Sequence, residues 1–464
     1  MTNSLTFSLR HDIWRTLVLA LPIAGAQLAQ IALQVVDNMM CGRLGAEALA
    51  GVGLGSAVLA ALLLPLLGIV GIISAFISES EGQTSAHEAP EAPRRYFQHG
   101  LLLAVLLGLP ATLLLSLAPR ALLAMGQKAE LVSLASAYLG SVRWCLVPAL
   151  LLGALKTCLD SVSRPQAGFW VALSGIGFNI LANQILMFGG IGSFQWFEGF
   201  GVTGTGWATT LTNLWMLLIL AFYFQRSQVL RRYGFFKSAG FAPGTLRLLL
   251  GTGWPVGVAI LSEVGLFAGM TLFMGYLGEA ALAAHQIALN VASLTFMCAL
   301  GVAYATTVRV GKAMGEKDPM GARRAGFIGM GLGMALMGCA GVVFWSVPEW
   351  IMGLYLDLRA PENQAVLTLG AQLLRLAALF QLFDALQVTS QGGLRGLKDT
   401  FIPMVIGFCC YWLIGLGSGL WLGFGLQQGA TGLWMGLVLG LMSAGVMLSA
   451  RFFSFFKKAD MIKT

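Results

Sequence analysis

The chain has 464 residues, of which 57% are hydrophobic and only 10% are charged. A soluble globular protein carries roughly 25% charged residues, so this composition excludes an ordinary soluble domain and favours burial in lipid. The formal net charge of +8 could suit a nucleic-acid partner, but the basic residues are spread over many short loops, as in a membrane protein, and we predict no nucleic-acid binding.

Apolar stretches long enough to cross a bilayer recur along the whole chain. A spanning helix needs roughly 20 mostly apolar residues, and such long runs argue against a transmembrane β-barrel, whose strands are short and alternating. The sequence predicts an all-α integral membrane protein with twelve transmembrane helices, over residues 14–40, 48–78, 97–119, 131–155, 167–191, 202–224, 247–275, 281–305, 325–346, 366–390, 402–425 and 430–453.

The first predicted helix carries a polar stripe. Gln27, Gln30, Gln34 and Asp37 recur at helical spacing, after Pro22 near the start of the helix. A carboxylate at membrane depth is costly, so it indicates a functional role. We expect Asp37 and Gln34 to belong to a substrate or proton site in a polar cavity wall. The alternative is a hydrogen-bonded seam between helices.

The fifth and eighth predicted helices carry further polar side chains. Asn179 and Asn183 lie four residues apart in the fifth helix, and Gln286 and Asn290 lie four apart in the eighth. We expect these amides to face the protein interior and to contribute to the same substrate or proton site. His285 is a candidate proton relay, and the alternative is a structural histidine whose hydrogen bonds are satisfied.

Two further carboxylates lie in the seventh and tenth predicted helices. Glu263 follows Pro255 by about two turns, and Asp384 lies between glutamines of the tenth helix. Both belong to the second half of the chain, so we expect them to meet there. Two nearby carboxylates can hold Na⁺ with additional oxygen ligands, or can bind and release a proton. The alternative is a structural pairing with Arg375 or the backbone.

Motifs for other chemistries are absent from the sequence. It contains neither a phosphate-binding G-x-x-x-x-G-K-[ST] loop nor an H-E-x-x-H zinc motif. Its seven cysteines form no C-x-x-C pair. No nucleophile and base stand together as an enzyme would need. We therefore expect no enzyme activity and no cofactor, and the only metal expected is Na⁺ at Glu263 and Asp384, if Na⁺ is the coupling ion.

Lysine and arginine are divided unevenly between the two sides of the predicted membrane. When loops are assigned alternately from a cytoplasmic N-terminus, nearly all of the 28 basic residues fall on the cytoplasmic side. The exceptions are four on the outer side and two within helices: Arg43, Arg120, Lys128 and Arg359, and Arg143 and Arg375. This positive-inside bias predicts that both termini are cytoplasmic.

Short motifs of the second half repeat those of the first in the same order. Pro22 corresponds to Pro255, and the same offset relates Leu44-Gly45 to Leu277-Gly278. Further matches pair Arg94-Arg95 with Arg323-Arg324, and Gly201 to Gly204 with Gly429 to Gly432. Each half holds six predicted helices, an even number, so both halves have the same orientation in the membrane.

The repeat predicts two parallel six-helix bundles related by pseudo-twofold symmetry. We expect an N-terminal lobe over residues 1–225, a cytoplasmic linker over 226–246 and a C-terminal lobe over 247–464. Transporters use repeats of this kind to build a binding site at their interface and to alternate its access to the two sides of the membrane.

Five short motifs are the most specific features of the sequence: Leu21-Pro22, Val36-Asp37-Asn-Met-Met-Cys-Gly42, Leu261-Ser-Glu263, Ala283-Ala-His-Gln286 and Leu394-Arg-Gly-Leu-Lys-Asp399. With them, the chain from about residue 17 to 450 resembles the multidrug and toxic compound extrusion (MATE) family, in its bacterial NorM-like branch. One departure is the segment 79–90, which is acidic and irregular where the family often has a Gly-Ala-Gly-like turn.

The resemblance implies export of lipophilic organic cations, driven by inward flow of Na⁺ or H⁺. The acids that hold the coupling cation in NorM-like members match Glu263 and Asp384, and the first-helix acid associated with substrate or proton binding matches Asp37. It also implies a monomer among the lipids of a bacterial cytoplasmic (inner) membrane. The alternative function is a flippase or exporter of a lipid-linked or biosynthetic product on the same superfamily fold.

Overall fold

The computed structural model describes residues 2–83, 91–191, 194–237 and 239–461. Within these ranges the chain is almost entirely helical. The elements in chain order are α1 (Thr2–Gly42), α2 (Ala46–Gly71), α3 (Ile73–Gln83), α4 (Glu91–Leu115), α5 (Ala118–Ala124), α6 (Ala129–Val142), α7 (Leu146–Ser161), α8 (Pro165–Phe188), β1 (Gly190–Ile191), β2 (Phe194–Gln195), α9 (Gly201–Arg226), α10 (Gln228–Arg231), α11 (Pro243–Tyr276), α12 (Glu279–Gly315), α13 (Pro319–Ser346), α14 (Pro348–Gly353), α15 (Gln364–Gly396), α16 (Phe401–Phe408), α17 (Gly417–Leu420) and α18 (Gly429–Met461).

Twelve helical segments of the described chain are long and apolar enough to cross a membrane, so the twelve predicted spans are confirmed. Most spans are a single helix, such as α1 or α9. The second span joins α2 to α3, the fourth joins α6 to α7 and the eleventh runs from α16 through α17. β1 and β2 form a short antiparallel hairpin between the fifth and sixth spans. Of the atypical segment 79–90, the part from residue 84 onward lies outside the described residues.

Contacts divide the described chain into two compact units. The first unit is Gly25–Gly257, and the second is formed by the described residues before and after it. The unit boundaries fall within α1 and α11, in each case just after the prolines Pro22 and Pro255. Proline removes a hydrogen bond from the helix interior, so these positions are natural places for a helix to bend. The division into lobes 1–225 and 247–464 stays a prediction.

The predicted internal repeat is visible in the backbone of both halves. Gly45 ends the turn after α1 with φ 117°, and Gly278 ends the turn after α11 with φ 108°. The Gly45 N–H donates to the carbonyl of Gly42 at 3.2 Å, as the Gly278 N–H does to that of Gly275. Only glycine adopts such φ values without strain. The same residue therefore closes the corresponding turn twice.

A seam of glycines holds the eleventh span against α18. A Cβ at Gly436 would lie 2.3 Å from the Cα of Gly419, and one at Gly440 would lie 2.8 Å from the Cα of Gly415. The two backbones are thus in direct contact, which is how small residues stabilise helix pairs in lipid. Along this seam the eleventh span is π-helical over Cys409–Leu416.

Candidate ion and substrate sites

Asp37 lies at the centre of a hydrogen-bonded cluster in the first unit. Its Oδ1 accepts a hydrogen bond from Asn183 Nδ2 at 2.6 Å, and its Oδ2 accepts one from Thr209 Oγ1 at 2.9 Å. The second proton of Asn183 Nδ2 goes to Asn179 Oδ1 at 3.1 Å. Asp37, Asn179 and Asn183 are all buried. The structure therefore brings together three of the predicted site residues, from α1 and α8.

The donors around Asp37 are all uncharged. Thr209 has one hydroxyl proton and two acceptors within reach, because its Oγ1 also lies 3.1 Å from the carbonyl of Thr205. Its hydroxyl can donate to Asp37 in one orientation and to the backbone carbonyl of Thr205 in another. The cluster can thus adjust when a proton or a ligand changes the state of the carboxylate.

Thr209 was not among the residues predicted from the sequence. Its signal is a polar spacing on α9, where Thr205, Thr209 and Asn213 recur every four residues. The same face makes a second contact with α1, since Thr205 Oγ1 lies 3.3 Å from the Sγ of Cys41. Threonine is common in apolar helices, so the spacing alone does not indicate a site.

The glutamines of the first-helix stripe do not join this cluster. Gln27 Oε1 accepts a hydrogen bond from Lys156 Nζ at 2.6 Å. Gln30 and Gln34 are exposed. The role of Gln34 in a substrate or proton site stays a prediction.

The two carboxylates of the second unit lie close enough for their charges to interact. Glu263 is half-buried in α11, and Asp384 is buried in α15. Arg395, three turns further along α15, also acts on the charge of Glu263. The predicted meeting of Glu263 and Asp384 within one unit therefore agrees with the structure. Neither carboxylate forms an ion pair within 4 Å in the described chain, whereas Arg375 pairs with Glu349 at 3.1 Å.

A tyrosine organises the side chains around the carboxylate pair. The hydroxyl of Tyr411 accepts hydrogen bonds from Gln387 Nε2 at 2.5 Å and from Gln391 Nε2 at 3.5 Å. Gln391 Oε1 in turn accepts one from Arg395 at 3.0 Å. Gln387 also lies near enough to Glu263 to influence its carboxylate. A chain of hydrogen bonds thus joins Gln387 through Tyr411 and Gln391 to Arg395, beside the carboxylates.

Tyr411 was missed in the sequence because it stands alone in an apolar helix. It lies in the π-helical stretch Cys409–Leu416 and is fully buried. π-helical turns are frequent at functional sites. Its neighbour Trp412 donates a hydrogen bond to the Oγ of Ser262 at 2.8 Å, which ties the eleventh span to α11 beside Glu263.

Two oxygens of this cluster lack partners. Asp384 Oδ1 and Gln387 Oε1 are buried, and neither accepts a hydrogen bond from any described residue. A buried acceptor without a donor costs about 1–3 kcal/mol. Carboxylate and amide oxygens are ligands for hard cations such as Na⁺, and a proton on Asp384 would equally relieve the cost. The donor set therefore fits either coupling ion.

His285 is held by hydrogen bonds at both ring nitrogens. Trp434 Nε1, which can only donate, donates to Nδ1 at 3.1 Å. Nε2 therefore carries the proton and donates to Thr271 Oγ1 at 3.1 Å, while that hydroxyl donates to the carbonyl of Phe267. This arrangement satisfies a neutral histidine completely and favours the structural interpretation over the proton relay.

The polar stripe of the eighth span lies outside the hydrogen-bonded carboxylate cluster of its own unit. Gln286 and Asn290 are exposed on α12. Among the residues that the structure describes, no hydrogen bond joins either amide to Glu263 or Asp384. Their contribution to a substrate or proton site stays a prediction.

Comparison with known proteins agrees with this architecture. A family model described as MatE matches residues 22–185 and 255–421, so it covers both halves of the chain and starts at Pro22 and Pro255. The multidrug resistance protein NorM of Burkholderia vietnamiensis is 38% identical over 444 residues, which are 96% of this chain and 94% of that protein. A probable multidrug resistance protein NorM of Synechococcus sp. is 37% identical over 450 residues, with the same coverage.

Solved structures show the same fold at low sequence identity. A MATE structure in the bent conformation aligns with a TM-score of 0.84 at 19% identity and covers 98% of each chain. An outward-facing multidrug resistance MATE family transporter of the MOP superfamily aligns with a TM-score of 0.83 at 20% identity over 96% of each chain. The predicted resemblance is confirmed: the chain is a multi-pass membrane protein that belongs to the multidrug and toxic compound extrusion (MATE) family, in its NorM-like branch.

Proposed function

We propose that this protein is a multidrug efflux antiporter that exports lipophilic organic cations in exchange for Na⁺ or H⁺. The observation that carries the proposal is the carboxylate pair Glu263 and Asp384, in which the buried Oδ1 of Asp384 has no hydrogen-bond partner. Relatives that share more than a third of their residues with this chain are named as multidrug resistance proteins. A carboxylate pair of this kind can bind the coupling ion, and a protein that couples export to an ion gradient needs such a binding site.

The coupling ion binds at Glu263 and Asp384. When both carboxylates are ionised, they repel each other and Asp384 Oδ1 has no donor. A proton or Na⁺ removes both penalties at once, so ion binding is favourable there. Arg395 adds a positive charge at the end of the polar chain, which limits how strongly a cation is held and helps its release.

The cluster around Asp37 is the proposed substrate or proton site. Its carboxylate is the negative group of the first unit that lies among uncharged amide and hydroxyl donors. A cationic substrate or a proton can therefore neutralise it without first breaking an ion pair. The exposed amide of Gln34, on α1 in the same unit, is proposed to contribute a polar contact to the substrate, and a role for Gln286 and Asn290 stays a prediction of the sequence.

Antiport requires that drug and coupling ion favour opposite conformations of the protein. An ion that binds the conformation with low drug affinity promotes drug release, and by linkage the drug promotes ion release on the other side. The protein would work in this way as a monomer in the bacterial cytoplasmic membrane, surrounded by lipid and with both termini in the cytoplasm, as the distribution of basic residues predicts.

The alternative is a flippase or exporter of a lipid-linked or biosynthetic product. Flipping of a phosphate-bearing lipid calls for bases at membrane depth. The two arginines predicted within helices are engaged elsewhere, since Arg143 donates to Ser116 Oγ at 2.7 Å and Arg375 pairs with Glu349. Lys156, which lies in the fourth span, is engaged by Gln27. The contacts of these arginines favour drug efflux over this alternative.

The test is efflux of a fluorescent organic cation from proteoliposomes with Na⁺ and pH gradients imposed in turn. We expect one of the two gradients to drive efflux. The double variant Glu263→Gln, Asp384→Asn should lose this gradient-driven efflux. Glu279→Gln is the matched control, because it removes an exposed carboxylate at the start of α12 in the same unit. Full gradient-driven efflux by the double variant would contradict the proposal. Efflux by the parent protein at a rate independent of both gradients would also contradict it.

A further inference from the structure

The connection between the sixth and seventh spans is docked onto the first unit. We call residues 227–242, apart from residue 238, which is not described, the strap. It contains α10, and it buries Leu230, Tyr233 and Phe235. The ring of Phe235 packs 4.9 Å from that of Phe97 on α4. A connection that was predicted only as a linker is therefore a folded part of this unit.

Charged and polar contacts fix the middle of the strap. Glu81 of α3 accepts hydrogen bonds from Arg232 at 2.9 Å and from the hydroxyl of Tyr233 at 2.7 Å. Burial raises the pKa of Tyr233 well above its usual value, so this hydroxyl keeps its proton and remains a donor. From α4, Arg94 Nε donates to the carbonyl of Tyr233 at 2.9 Å.

The next residues of the strap are held through their backbone by two side chains of α4. Gln98 Nε2 donates to the carbonyls of Phe235 at 2.8 Å and Lys237 at 2.6 Å, and Gln98 Oε1 accepts from the N–H of Ala239 at 3.1 Å. His99 Nε2 accepts from the N–H of Ala242 at 3.0 Å. The strap therefore has a fixed inner face, and the direction of its outer side chains is set by the fold.

The outer face of the strap combines positive charge with aromatic rings. Arg231 and Lys237 are exposed, and Phe236 and Phe241 are 52% and 68% exposed. The strap contains no acidic residue, and the carboxylate of Glu81 is used on the inner face by Arg232 and Tyr233. The charges of Arg231 and Lys237 thus remain uncompensated by any salt bridge in the described chain.

We propose that this outer face binds the headgroups of anionic phospholipids. The strap begins just after the sixth span ends at Arg226 and leads directly into the seventh at Pro243, so it lies at the membrane surface. Lys and Arg near such a surface attract anionic lipid, and aromatic side chains favour the headgroup region. A free anion in water would use the charges but would gain nothing from Phe236 and Phe241.

This proposal is independent of which ion drives transport, because its readout is lipid binding. Native mass spectrometry of the purified full-length protein would count phosphatidylglycerol or phosphatidylcholine molecules retained at increasing lipid concentration. We expect the parent to retain phosphatidylglycerol more tightly. The double variant Arg231→Gln, Lys237→Gln should weaken its first binding step about thirtyfold, the effect of two charges at about 1 kcal/mol each.

The control double variant Arg120→Gln, Lys128→Gln removes two exposed charges from the same unit, on the predicted outer side. It should bind phosphatidylglycerol as the parent does. The charge-conserving variant Arg231→Lys, Lys237→Arg should also bind normally, which separates charge from folding. Phe236→Ala, Phe241→Ala should weaken binding of both lipids.

Three results would overturn the proposal. One is a parent that does not prefer phosphatidylglycerol, and another is an equal loss in the strap and control variants. The third is competition by inorganic phosphate at millimolar concentration, which would assign the charges to a free anion instead. The contacts of Glu81, Tyr233 and Gln98 are unchanged in every variant. The charge variants also keep the rings of Phe236 and Phe241 packed against Phe97 and His99, so the strap should stay docked in them.

Discussion

The acids of the two carboxylate clusters differ in how completely their own hydrogen bonds are satisfied. Asp37 receives a donor on each oxygen, from Asn183 and Thr209. In the second unit, one buried oxygen of Asp384 has no hydrogen-bond donor, and the negative charge of Glu263 repels that of Asp384. A satisfied acid can persist in one state without a ligand. An unsatisfied pair is incomplete until a proton or cation arrives, which is the property expected of a coupling site.

The difference also concerns charge. The cluster at Asp37 contains a single acid and uncharged donors, so a bound cation leaves it neutral. The other cluster has two acids and Arg395 in electrostatic contact, so one monovalent cation likewise balances the sum. Changes to Tyr411, Arg395 and Thr209 test these differences, because each alters one cluster and leaves the other intact.

The largest effect is expected from Tyr411→Phe. This change removes the hydroxyl that accepts from Gln387 and Gln391, so two buried amide groups lose a partner beside the carboxylates. Each unsatisfied group costs about 1–3 kcal/mol. We expect the half-saturating concentration of the coupling ion, measured in proteoliposome efflux, to rise about thirtyfold. Tyr276→Phe, at an exposed tyrosine of α11, is the control and should change nothing.

Arg395→Gln should shift the same measurement in the opposite direction. The guanidinium places a fixed positive charge near Glu263, and this charge opposes a bound cation. Its removal should strengthen ion binding about tenfold, or about 1.4 kcal/mol. It should also slow the turnover of efflux, because the ion is released less readily. Arg375→Gln removes an exposed charge of the same helix that pairs with Glu349, and it should leave both values unchanged. Weaker ion binding in Arg395→Gln would contradict this electrostatic role.

The spans and the acids at membrane depth were predictable because each stands out against its surroundings. A run of apolar residues identifies a span whatever its partners are. Asp37, Glu263 and Asp384 are rare charges within such runs, and Asn179 and Asn183 share one face of a helix with the spacing expected for neighbours. These signals are local in the sequence.

The partners of the acids could not be predicted in the same way. Thr209 meets Asp37 across a separation of 172 residues, and no pattern in one helix specifies a contact with another so distant. Tyr411 lies in a π-helical stretch, where side chains no longer follow the ordinary helical spacing. The strap was equally hidden, because its anchors Gln98 and His99 lie on α4, far from it in the sequence.

Thr209→Val is expected to have the smallest effect. The substitution keeps the shape of the side chain and removes one of the two hydrogen bonds to Asp37, while that from Asn183 remains. A hydrogen bond to a charged carboxylate contributes about 1.5–3 kcal/mol, and only part of this reaches drug affinity because the hydroxyl of Thr209 is shared with the carbonyl of Thr205. We expect the apparent affinity for the drug cation to change by about fivefold, measured by equilibrium binding to the purified protein. Thr212→Val on the same helix, whose hydroxyl donates only to the carbonyl of Ala208, is the control. If Thr209→Val instead shifted the half-saturating concentration of the coupling ion as strongly as Tyr411→Phe, the two clusters would not have the separate roles proposed for them.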